Sequence, residues 1–116
     1  MNEKQYLIKC LLDLGEALLL AGAEINRVED SLSRVAKNYG ALKVDVFVLT
    51  SVINITVTFD DNSLETQTRR LNANATTDFK KIEELNALCR NCVNMSISEF
   101  DKELRKLSSK MTEKIK

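Results

Sequence analysis

Residues 44–59 read VDVFVLTSVINITVTF, and this stretch decides the fold. Ile53, Ile55, Val57 and Phe59 alternate with Asn54, Thr56 and Thr58, the period-2 pattern of a strand with one buried and one open face. Val44, Val46 and Val48 alternate with Asp45, Phe47 and Leu49, so the strand before it is partly apolar on both faces near its end. Thr50 and Ser51 form a tight connection between the two. Asp60, Asp61, Asn62 and Ser63 supply turn chemistry, so Asp60 and Asp61 read as hairpin residues rather than a hydrolytic or calcium-binding pair. A third strand then runs from Leu64 to Leu71. Its Glu65, Thr66, Gln67, Thr68 and Arg69 suit an exposed edge.

On both sides of this meander the period returns to 3.6. Leu7, Leu11, Leu14 and Leu18 make a helix from Tyr6 to Ala21, stopped by Gly22. A second helix is expected from Asn26, an N-cap candidate with Glu29 three residues on as its capping-box partner. Val28, Leu32, Val35 and Tyr39 form its buried stripe, and Gly40 ends it. Gly15 inside the first helix suggests close helix contact. Downstream, Phe79, Ile82, Leu85, Leu88 and Cys89 share one side of a helix over 78–92, with Lys80, Lys81, Glu83 and Glu84 opposite. A last helix begins near Ser96 or Ser98 with Phe100, Leu104 and Leu107 as its stripe. The expected plan is α+β in the order α-α-β-β-β-α-α, a three-stranded antiparallel meander with helices mainly on one face.

The chain of 116 residues suits one domain spanning 1–116. Seventeen basic residues balance seventeen acidic ones, so no overall basic field points to nucleic acid. There is no His and no Pro, which excludes Ser-His-Asp and Cys-His catalysis. Three glycines cannot assemble a dinucleotide fingerprint or a Walker-type loop. No stretch approaches the ~20 apolar residues of a membrane span, and no signal peptide is evident, so the chain reads as soluble. Cys89 and Cys92 have C-x-x-C spacing, but without Pro or a fourth ligand they read as reduced core thiols. No metal and no cofactor are expected.

At residues 22–40 the sequence GAEINRVEDSLSRVAKNYG resembles the N-terminal soluble domain of the threonine/serine exporter (ThrE) family. VDVFVLTSVINITV, the Arg69–Arg70 pair, DFKKIEELNALCR and the MSISEF helix start follow in the family's order, so the resemblance runs from about Leu11 to Leu107. It implies a non-catalytic domain at the cytoplasmic face of the cell membrane, preceding transmembrane helices and serving assembly, gating or substrate delivery in export of small amino acids or organic acids. The chain stops at Lys116, where the family enters the membrane, so transport itself is not expected here. The implied partner is the transmembrane domain of the same or a companion protein. A homo-oligomer is the other expected partner.

The alternative is a small-ligand-binding or hydrolase-like module using a Glu/Arg cluster. Glu24, Arg27 and Glu29 lie at the start of the second helix, where they could pair with one another or meet a partner. Arg69 and Arg70 point oppositely on a strand. The inward one needs a carboxylate, with Glu24, Glu29 or Asp45 as candidates, or else it binds an anion. Thr50 and Asn54, with the threonines around them, complete the expected interaction residues.

Overall fold

The structure, a computed structural model, describes residues 2–49, 51–71 and 77–115, with side chains as far as residue 108. Its described elements are α1 (Glu3–Leu20), α2 (Ile25–Asn38), β1 (Ala41–Leu49), β2 (Val52–Phe59), β3 (Leu64–Arg70), α3 (Phe79–Asn91), a short 3₁₀ turn (Cys92–Asn94) and α4 (Ile97–Ile115). The expected α+β order is the observed one. The sheet is antiparallel in the order β1-β2-β3.

Helix boundaries follow local chemistry. α1 begins three residues earlier than its apolar stripe suggests, because Asn2 and Gln5 close a reciprocal capping box ahead of it. It ends where Gly22 takes φ 90°. There the Gly22 and Ala23 amides return to the Leu19 and Leu18 carbonyls, each at 3.0 Å, a Schellman closure that requires the left-handed residue. The expected capping box of α2 is not formed. The helix starts earlier than expected, with Glu24 as N-cap and no side-chain cap bond, which places Asn26 and Glu29 inside the helix, and the Glu29 carboxylate accepts from a strand amide. α4 does carry a box: Ser96 Oγ accepts from the Glu99 amide at 3.1 Å, and Glu99 Oε1 accepts from the Ser96 amide at 3.0 Å.

Packing places α1 and α2 on one face of the sheet, α1 over β2 and β3 and α2 along β1. α3 and α4 pack chiefly on those two helices, so the helices form two layers rather than one. Ile53, Ile55 and Val57 of β2 are fully buried against Leu11, Leu14, Leu18, Val28 and Leu32. Gly15 permits this closeness. A Cβ there would stand 2.8 Å from Ile53 Cδ1 and 3.3 Å from Leu32 Cδ1, so the close approach is to both a strand and a helix.

Two assignments on α3 reverse. Phe79, expected in the buried stripe, is 77% exposed. Lys81, expected in solvent, is buried, with Nζ donating to the Leu107 carbonyl at 3.2 Å and 3.9 Å from Glu84. The cause is α4, whose backbone offers a lysine an acceptor at the place where its stem crosses the helix pair.

Candidate functional site

The sequence-selected residues separate into three regions. Arg69 is the inward arginine, as strand alternation requires. Its Nη1 donates to Asp13 Oδ1 at 2.6 Å and Glu16 Oε1 at 3.2 Å, while Lys9 donates to Asp13 Oδ2 at 3.0 Å. The expected partners Glu24, Glu29 and Asp45 are thereby corrected. α1, not α2, lies under β3, and Asp13 and Glu16 stand three residues apart on its facing side. Asp45 instead sits 3.8 Å from Lys43. This network pins α1 to β3 and is partly exposed, which limits each pair to about 1 kcal/mol.

Glu24, Arg27 and Glu29 do not converge. Glu29 Oε2 accepts from the Val48 amide at 3.2 Å, tying α2 to β1. Glu24 is exposed at the helix N-cap. Arg27 lines a cleft of about 210 Å³ between α2 and α3, together with Asp30, Ser31 and Arg34 of α2 and Asn86 and Arg90 of α3. Arg27, Asp30, Ser31 and Arg34 fall at i, i+3, i+4 and i+7, one helix face. Among the described residues none of the three arginines has an ion-pair partner. Sequence reasoning missed Arg34 and Arg90, although that spacing was the signal for Arg34.

The third region is the sheet face turned away from the helices. Asn54 Nδ2 donates to Thr68 Oγ1 at 2.7 Å, and the Thr56 and Thr66 hydroxyls share a hydrogen bond at 2.8 Å. Phe47 is 58% exposed beside them and Leu49 is 49% exposed. Arg70 is exposed opposite Val52. Asn54 and Arg70 therefore share a face with the apolar pair. Thr50 lies outside the described residues.

The remaining polar clusters act as staples. The Tyr6 hydroxyl donates to Asp101 Oδ2 at 2.6 Å, and Arg105 Nη2 donates to the same oxygen at 2.8 Å. The first bond and burial push the Tyr6 hydroxyl up to about 12. Burial opposes charge on Asp101, yet the bonds from Tyr6 and Arg105 hold its carboxyl below the usual range. Asp61 accepts from Lys4 and from the Ser63 hydroxyl and amide, which lowers its carboxyl well below the usual range. It serves the hairpin turn, as the sequence suggested.

Cys10, Cys89 and Cys92 are free and buried. Burial, then the Asp101 charge, raises Cys10 to about 12. Burial and then Cys92 do the same for Cys89, and burial also raises Cys92. A protonated thiol is neither a nucleophile nor a metal ligand at neutral pH.

A family model described as "Putative threonine/serine exporter" (ThrE) matches residues 9–114. No curated protein and no solved structure gives a match. Among the described residues, no helix is long and apolar enough to cross a membrane.

Proposed function

The chain belongs to the threonine/serine exporter family, and from that premise we propose that it is a non-catalytic, cytoplasm-facing domain of an exporter of small amino acids or organic acids. Its role is to dock on the membrane-spanning part and govern assembly, gating or substrate delivery. The observation that carries this reading is the helix-free sheet face. Among the described residues the packing helices stand on the other side, while Phe47 and Leu49 stay exposed beside an Asn/Thr ladder. An apolar pair rimmed by polar side chains is the composition of a protein-contact surface.

The test is export of threonine and serine by cells carrying the whole exporter with Phe47→Glu and Leu49→Glu together. Export falls at least tenfold while the melting temperature of the chain stays within a few degrees. Unchanged export with both carboxylates in place would defeat the docking role.

A specific observation favours one second reading. Among the described residues Arg27, Arg34 and Arg90 line one cleft with a single carboxylate, Asp30, leaving guanidinium forks for a carboxylate-bearing ligand. Thermal shift against serine, threonine and dicarboxylates tests it. A rise in melting temperature that Arg34→Ala removes supports ligand binding, and no rise at millimolar ligand rejects it.

A further inference from the structure

We propose that two copies of this chain join edge to edge through β3, antiparallel about Gln67, to make one six-stranded sheet. The pairing is independent of the exporter reading, because it follows from the pattern of a single strand.

The first observation is backbone parity. The ladder between β2 and β3 is continued at its ends by the Leu71 amide donating to the Ser51 carbonyl at 2.8 Å and the Phe59 amide donating to the Ser63 carbonyl at 2.9 Å. Odd-numbered residues of β3 therefore turn their amides and carbonyls toward β2. Leu64, Thr66, Thr68 and Arg70 turn theirs away from it. β3 is an edge strand, so those even-numbered groups form a row with no strand beside it among the described residues. A second strand pairs there only if it also presents even-numbered residues.

The second observation is charge. A two-fold axis through Gln67 satisfies that parity, placing Leu64 opposite Arg70 and Thr66 opposite Thr68 of the second copy. On the helix-side face it sets Glu65 directly opposite Arg69, twice over by symmetry. Opposite charges at facing positions favour a strand pair, and like charges oppose it. Moving the axis by one residue either way keeps parity but sets Glu65 against Gln67 or Leu71, and the charge match is lost. Within one chain Glu65 has no ion pair among the described residues. Among the described residues both hydrogen bonds of Arg69 leave from Nη1, so Nε and Nη2 have donors to give.

Self-complementarity of this kind is what an isologous two-fold interface requires. Seven residues of strand form a small interface, so the expected dimer is reversible, and tethering both copies in one membrane assembly raises its occupancy.

Cysteine cross-linking reads the register. Gln67→Cys faces its own copy across the axis as a non-hydrogen-bonded pair, about 4.5 Å between Cα atoms, inside the range a disulfide spans. Thr66→Cys meets its copy only diagonally, at about 7–8 Å. Under mild oxidation the Gln67→Cys chain cross-links at least tenfold faster than the Thr66→Cys chain. Equal rates would overturn the register.

Sedimentation equilibrium reads the edge itself. The unmodified chain shows a concentration-dependent dimer. Thr68→Pro removes an amide that faces away from β2 and abolishes the dimer, with far-UV circular dichroism retained. Glu65→Lys, which sets Lys against Arg69, weakens it at least tenfold. A strict monomer at millimolar concentration, or a dimer indifferent to both variants, would overturn the proposal.

Discussion

The two edges of one small sheet deal differently with the same liability. Every edge strand carries a row of amides and carbonyls without a strand partner. At β1 the row is partly closed from within, because α2 lies along the strand and Glu29 accepts from the Val48 amide. At β3 no side-chain bond to an outward amide is seen among the described residues, and the strand alternates Glu65, Gln67 and Arg69 on one face with Thr66, Thr68 and Arg70 on the other. One edge is occupied by the chain's own helix. The other bears a pattern that reads the same against a reversed copy of itself.

Both edges hang on the same interior, so the largest effect comes from charging it. Cys10 and Cys89 have folded-state values near 12, against 9 for an unperturbed thiol, and Tyr6 near 12 against 10. For each, the folded state holds its proton where the unfolded state has lost it. This stabilisation is complete below about pH 9 and declines as pH rises toward 12. Denaturant midpoints are expected to be level from pH 7 to 9 and to drop steeply above it. Over the level range the three thiols should resist thiol reagents until the chain unfolds. Rapid labelling at pH 8 would show an interior more open than the one described.

Next in size is Ile55→Ala, in the strand that both edges share. Ile55 is fully buried under the first helix layer, and removing its outer carbons leaves a cavity costing about 3 kcal/mol. Equilibrium urea unfolding measures this. A loss below about 1 kcal/mol would mean that the layer collapses to refill the space.

Most of the fold was legible because apolar periodicity is set by burial. The change from 3.6 to 2 between Lys43 and Leu71, and back from Asp78, records which faces meet the core. What stayed hidden was pairing between distant side chains. Strand alternation requires one inward arginine at 69 or 70, but nothing local says that α1 rather than α2 lies beneath it. For the same reason Glu29 reads as a capping-box residue. That reading takes Asn26 as the N-cap, whereas the helix starts after Glu24 and Glu29 stands inside it, facing a strand amide that only the tertiary fold brings near. Lys81 and Phe79 exchanged places because a long stem reaching a helix carbonyl is invisible to a hydrophobic pattern. The candidate cluster at Glu24, Arg27 and Glu29 dispersed because neighbours on a helix start point to three sides of it.

Glu29→Ala opens the β1 edge. Val48 is buried, and its amide would lose a charged acceptor without gaining water freely, a cost of about 1–2 kcal/mol. Glu29→Gln keeps an acceptor oxygen and should recover more than half of it. Hydrogen exchange at the Val48 amide gives the local reading. Acceleration in the alanine variant, with β3 amides unchanged, marks Glu29 as the closure of that edge. No acceleration would remove the distinction between the edges.

The smallest effect is expected at Thr66→Val on the free edge. The side chain keeps its shape and β-branching, and the outward amide of residue 66 is untouched. Only the hydroxyl bond shared with Thr56 is lost. That bond lies on the solvent side of the sheet, where water replaces it, so stability should change by no more than about 0.5 kcal/mol. Dimer affinity should shift less than threefold, since Thr68 of the second copy meets a methyl instead of a hydroxyl while every backbone bond remains. A loss above about 1 kcal/mol would mean that the Asn/Thr ladder helps hold β3 on the sheet. The outer face would then be structural, and its polar rows could not be read as a surface kept free for a partner.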